Sequence, residues 1–134
     1  MSVTLTEQDE HTLRTAAYGA VTLLATAGAT TRPHKIATAG TIALASTTGK
    51  VGHVLAKNPN ANDLNGKSTA EIADQVLSAL TTAMALLKKQ VPAEADNFRR
   101  AVLVAVVAAQ SHEDQPSPAL AEITRKITES LDAA

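Results

Sequence analysis

Apolar residues recur at steps of three and four along almost the whole chain, and no stretch alternates apolar and polar residues between turn signals. The first spacing is the period of a helix with one buried face, and the second, missing pattern is what a half-buried strand requires. A sheet therefore has little to be built from. The chain is confined to an all-α fold, a compact bundle of five or six helices. Its 134 residues suit one helical domain over residues 1–134, able to bury roughly 65–70% of its unfolded surface.

Start and stop signals divide the chain. Thr6 can accept a bond from a free amide, and Asp9 sits in the acid-favouring first turn, so the first helix starts near Thr6. Leu13, Ala17, Ala20, Leu24 and Ala27 form its stripe, and Gly28 is its stop. A second helix opens at Pro33, where a missing N–H costs nothing. Its stripe of Ile36, Ala39, Gly40 and Ala43 is small enough for a neighbouring backbone to approach closely. Val51, Val54 and Leu55 mark a short third helix within 50–57. The Asn-, Asp-, Pro- and Gly-rich stretch at 58–67 is a loop between two helical halves.

Ser68-Thr69-Ala70-Glu71 is a capping box. The helix behind it carries Ala73, Val76, Leu80, Ala83 and Leu87 as a seam and ends near Val91-Pro92. Pro92 opens the next helix, near 93–110. Phe98, Val102, Ala105, Val106 and Ala109 line one of its faces, with Leu103, Val104 and Val107 on others. A helix apolar all round is normally enclosed, so this helix is expected at the centre, with Leu103 and Val104 in the core. Ser117-Pro118 introduces the last helix, with Leu120, Ile123, Ile127 and Leu131 inward and Arg125, Lys126, Glu129 and Asp132 outward.

Composition narrows function by exclusion. Twelve Lys and Arg stand against thirteen Asp and Glu, which argues against a nucleic-acid binder. There is no Cys, so thiolate metal sites and a Cys nucleophile are excluded. Tyr18 and Phe98 are the only aromatics, where large cofactors usually meet several. Acids come early, at Glu7, Asp9 and Glu10, unlike a secretory signal. The strongest apolar run, Ala101 to Ala109, has nine residues, far short of the ~20 that span a bilayer. The expectation is a cytoplasmic chain with no membrane insertion.

Three clusters could carry chemistry. His112, Glu113 and Asp114 combine imidazole and carboxylates suited to a divalent metal, or are a solvated turn. Asp9-Glu10-His11 lies in the first turn of the first helix, where acids complement the dipole without any ligand. Residues 32–67 carry a net charge of +4, and Arg32, His34, Lys35, Lys50 and His53 could attract an anion, or form a solvated basic surface. Gly49-Lys50-Val51-Gly52 is too short for a phosphate-binding P-loop, and Gly66-Lys67-Ser68 lacks the Gly five residues earlier. Gly-x-Ser-x-Gly and His-x-x-x-His patterns are missing. Arg99, Arg100, Lys88 and Lys89 read as surface partners of acids such as Glu94 and Asp96.

The order of features resembles a group of small all-helical bacterial proteins of unassigned role. The shared features are Thr12-Leu13-Arg14, Asn58-Pro59, Ala83 to Leu87, Pro92-Ala93-Glu94-Ala95, Phe98-Arg99, Ser117 and Ala119-Leu120-Ala121-Glu122-Ile123. The closing half is also similar to TerB-like tellurite-resistance domains, which place an Ala-Asp-Gly-type turn between an apolar helix and a Ser-capped one. Residues 110–117 stand at that place here without the Asp-Gly pair. The resemblance points to a stress-related role and supplies no enzymatic activity of its own.

The resulting expectation is a non-enzymatic interaction protein without a cofactor. Its alternative is a small metal- or anion-binding protein using residues 112–114 or the basic segment. Thr15 to Thr31 and Ile36 to Gly49 contain no charge, whereas a helix on a monomer's surface normally shows a charged stripe. A homodimer through helices 1 and 2 would cover the extra faces. The competing explanation is that Thr hydroxyls on those faces bond to their own backbone carbonyls.

Overall fold

The computed structural model describes residues 5–27, 33–57, 68–110 and 118–133. Six helices make up 92% of the described residues, with no strand among them. They are α1 (Glu7–Ala27), α2 (Pro33–Ala45), α3 (Gly49–Lys57), α4 (Thr69–Gln90), α5 (Pro92–Gln110) and α6 (Pro118–Asp132). The 58–67 connection, Gly28 and Ser117 lie outside the described residues.

The helices begin where local chemistry satisfies their free amides. The Asp9 N–H donates to Thr6 Oγ1 (3.0 Å), and the Thr6 N–H donates to Asp9 Oδ2 (3.1 Å). This reciprocal pair caps α1. At α4 the Glu71 N–H donates to Ser68 Oγ (3.2 Å), and that hydroxyl donates to Glu71 Oε1 (3.1 Å). Val91 alone separates α4 from α5. Its N–H closes α4 on the Leu87 carbonyl (2.7 Å), and its own carbonyl accepts from Glu94 N–H (2.8 Å).

One helix is enclosed on every side, and it is α1. Every residue from Thr15 to Val21 is buried, as are Leu13, Leu23 and Leu24. This helix packs against each of the other five. The predicted stripe of Leu13, Ala17, Ala20 and Leu24 is thus only part of its buried surface. Small side chains make the enclosure possible. A Cβ placed on Gly40 of α2 would lie 2.7 Å from both methyls of Val21, so α2 and α1 meet closely there. Among the described side chains of α2, however, the buried positions are Gly40 and Leu44, while Ala39 and Ala43 are only half-buried and the Ile36 side chain lies outside the described set.

The expectation for Val104 is corrected. It is 51% exposed and Val107 is 65% exposed. Leu103 is half-buried and packs against the core. α5 does bury the predicted face of Phe98, Val102, Ala105 and Val106, with Ala95 and Ala101. It packs on α1, α2, α3, α4 and α6 from one side, leaving the far side open. α4 buries Ile72, Val76, Leu80, Ala83, Met84 and Leu87. It is also long and apolar enough to cross a membrane, judged by length and composition alone. α6 buries Ile127 and Leu131, and Arg125, Lys126, Glu129 and Asp132 are exposed as predicted.

Polar ties fix how the helices sit. Gln90 Nε2 at the end of α4 donates to Asp9 Oδ2 at the start of α1 (3.2 Å), so these helices run antiparallel. Thr81 Oγ1 donates to the Ser130 carbonyl of α6 (2.9 Å). Arg99 of α5 pairs with Asp132 of α6 through Nε–Oδ1 at 2.8 Å. The predicted partners of Arg99 were Glu94 and Asp96; Asp132 takes the direct contact instead, with Asp96 adding only a longer-range attraction.

Candidate functional site

The sequence-predicted groups do not assemble into one described site. His112, Glu113, Asp114 and Arg32 lie outside the described residues. His34 and Lys35 fall on the first turn of α2, with their side chains outside the described set. Lys50 and His53 are exposed and three residues apart on α3, hence on one face of it. Among the described residues no group of three or more His, Asp and Glu could hold a metal ion. His11 is exposed, and the neighbouring Asp9 serves as a cap rather than a ligand.

The densest polar construction among the described residues is built around α3. A nine-residue helix is shorter than the ~12–15 residues at which a helix sustains itself in water, so α3 needs help at both ends. At its start, Glu94 reaches over from α5 and its Oε1 accepts the Val51 N–H at 2.8 Å. That amide is one of the four that a helix start leaves unpaired, and the carboxylate also complements the positive end of the helix dipole. Asn97, one turn along α5, donates from Nδ2 to the Thr48 carbonyl (2.8 Å) and to Glu94 Oε1 (3.4 Å). Glu94 and Asn97 thus form one bracket over residues 48–51.

At the other end, the buried Tyr18 hydroxyl donates to the Leu55 carbonyl at 2.7 Å. Leu55 supplies one of the last carbonyls of α3, which have no partner inside the helix. Burial pushes the Tyr18 phenol above its ordinary value, which keeps it a donor throughout the neutral range.

The two glycines of the Gly49-Lys50-Val51-Gly52 stretch belong to this construction. Gly49 has φ 81°, a left-handed conformation that L side chains rarely adopt. A Cβ on Gly52 would stand 1.9 Å from the Thr47 carbonyl oxygen. Both glycines therefore let the chain turn sharply from Ser46–Thr48 into α3. The Val51 N–H beside Lys50 is bonded to Glu94.

Sequence reasoning missed Glu94, Asn97 and Tyr18 as a set. Their partners lie 43, 49 and 37 residues away in the chain, and all three are backbone atoms without a sequence signature. The available signal was the pair of glycines in a segment otherwise patterned as a helix, which indicates close backbone approach.

Elsewhere charge is spent on the surface. Asp132 lies below the usual carboxylate range because Arg99 hydrogen-bonds to it. Asp9 is lowered chiefly by the Thr6 N–H, with Gln90 and the Thr6 hydroxyl adding to it. Arg125 pairs with Glu122 and Glu129 on the exposed face of α6. Comparison of the chain with protein-family models, with curated proteins and with solved structures gave no match.

Proposed function

We propose that this chain is a non-enzymatic interaction protein that self-associates through an apolar face carried by α2 and α5. One observation carries the reading. The exposed large hydrophobic residues among those described are Ile42, Val104 and Val107, and all three sit on two helices that pack against each other. Large apolar side chains left in water on neighbouring helices are candidates for burial against a partner. No charge occurs from Ile36 to Gly49 or from Ala101 to Gln110, so such a face meets its own copy without like-charge repulsion, as a two-fold dimer requires. The interface was expected on helices 1 and 2. α1 is covered from Thr15 to Val21 by its own chain, so α5 takes its place beside α2 in the proposed interface.

The described polar side chains support a non-catalytic role. Asp9, Tyr18, Glu94, Asn97, Arg99 and Asp132 are each engaged in a cap or a tie between helices. A cytoplasmic location is supported by α4, which turns Ile72, Val76, Leu80, Ala83, Met84 and Leu87 into the bundle. The resemblance to small bacterial helical proteins and to TerB-like domains supports a role in stress response.

Sedimentation equilibrium at micromolar concentration tests the proposal. A mass of two chains is expected, and Ile42→Glu should return the protein to one chain. A mass near 13.8 kDa throughout the concentration range ends the dimer reading. The alternative, an anion- or metal-binding protein, rests on the exposed Lys50–His53 face of α3 and on residues 112–114. A stoichiometric divalent ion in the purified protein would put that reading first.

A further inference from the structure

We propose that α3 is a hinged strap, a unit that opens and closes on the bundle while the other five helices stay folded. Among the described residues, Val51, Val54 and Leu55 are its buried large side chains, and the Glu94–Asn97 bracket holds one of its ends and the Tyr18 hydroxyl the other. It seats mainly on α1, α2 and α5, whereas α1, α2, α4, α5 and α6 are connected without it through the α1–α4, α1–α2, α2–α5, α4–α5 and α4–α6 packings. Removing α3 from its seat thus leaves the remaining network joined.

Its own helical preference is low. Nine residues contain two glycines, and glycine inside a helix gives up roughly 1 kcal/mol relative to alanine. Gly49, with φ 81°, supplies a joint where the chain leaves Ser46–Thr48. The two clamps act on backbone atoms of α3 itself. When they release, α3 loses both its end partners and the seat that makes it helical, so detachment and unfolding of α3 are one event. Opening uncovers Tyr18 and the faces of α1, α2 and α5 beneath it. Segments of this kind exchange their amide hydrogens through openings far smaller than global unfolding.

Native-state hydrogen exchange of the full chain tests the strap. Amides of residues 53–56 are expected to exchange at least roughly a hundredfold faster than those of residues 16–24 and 76–87. Glu94→Ala should accelerate residues 53–56 by about tenfold more, the scale of one hydrogen bond to a charged group, and leave residues 76–87 unchanged. Tyr18→Phe, which keeps the ring, should accelerate the same amides by a factor of about five. Exchange of residues 53–56 at the same rate as α1 in the unmodified protein would overturn the proposal. So would an equal acceleration of every helix by Tyr18→Phe, because α3 would then open only with the whole domain. If Glu94→Ala does not fold, the unmodified protein and Tyr18→Phe still decide between these outcomes.

Discussion

Gly52 and Gly40 are small for different reasons, and the difference sets what a methyl group does at each. At Gly52 the new Cβ meets a carbonyl oxygen at 1.9 Å, and that oxygen moves only if the Ser46–Thr48 turn moves. Gly52→Ala should therefore lower stability by several kcal/mol, despite alanine's better helix propensity. At Gly40 the neighbours are the Val21 methyls at 2.7 Å. A β-branched side chain in a helix has essentially one χ1 well, so α1 and α2 must separate slightly, and Gly40→Ala should cost about 1–3 kcal/mol. Urea denaturation checks both. The caps give a pH signature at the same scale. Asp9 and Asp132 are held below their ordinary value of 3.8, so the folded state binds their protons less readily than the unfolded chain does. Their contribution is full above the ordinary value and is lost as pH falls through the lower folded-state value. Asp9→Asn should thus destabilise the protein at pH 7, with the difference from the parent shrinking as the pH drops below about 4. Thr6→Ala removes the other half of the cap and should cost about 1 kcal/mol.

At the scale of the helix, existence and limits were legible, but relative depth was not. Caps and prolines placed α1, α4 and α5 because those signals act within four residues of one another: Thr6 with Asp9, Ser68 with Glu71, and Val91 before Pro92. Depth depends on how much of a helix's circumference its neighbours cover. The apolar run of α5 suggested enclosure, yet Val104 and Val107 face outward. The Ala- and Thr-rich α1 is the enclosed one, because small side chains let its neighbours close around all its faces from Thr15 to Val21, whereas α5 also meets five helices but keeps one face in water. Its uncharged stretch also has a local explanation where hydroxyls are concerned, since Thr22 Oγ1 donates to the Tyr18 carbonyl at 3.0 Å. The same back-bonding recurs at Thr12, Ser46 and Thr128. The α3 brackets were illegible because they join groups far apart in the chain to bare backbone. Two substitutions on α5 separate a pattern from a depth. Phe98→Ala should cost about 3–5 kcal/mol, since the ring is fully buried. Val104→Asp, at a position 51% exposed, should change the monomer's thermal unfolding little, within about 0.5 kcal/mol.

For the whole molecule, the question is which apolar surface closes within one chain and which needs a second. Leu24 is fully buried and Ile42 is 61% exposed, although both lie in uncharged stretches of the same half of the chain. A charge at Leu24 enters the core without a partner, where it is expensive. Leu24→Glu should therefore abolish or severely weaken folding at every protein concentration. A charge at Ile42 stays in water on a monomer and becomes costly only when a second subunit covers it. Ile42→Glu should leave the helical circular dichroism spectrum and the dilute-limit stability near those of the parent. It should remove the rise in melting temperature with protein concentration that a dimer produces by mass action. Val104→Asp should act in the same way if α5 shares the interface. Ala39 lies between these extremes, being half-buried, so Ala39→Glu should cost stability and association together. Glu129→Ala, on the exposed face of α6 opposite Ile127 and Leu131, should be silent in both measurements, because exposed ion pairs such as that with Arg125 contribute little. A parent protein whose melting temperature is the same at 1 and 100 times a micromolar concentration would remove the second subunit, and the α2–α5 face would then be available to a different protein or to none.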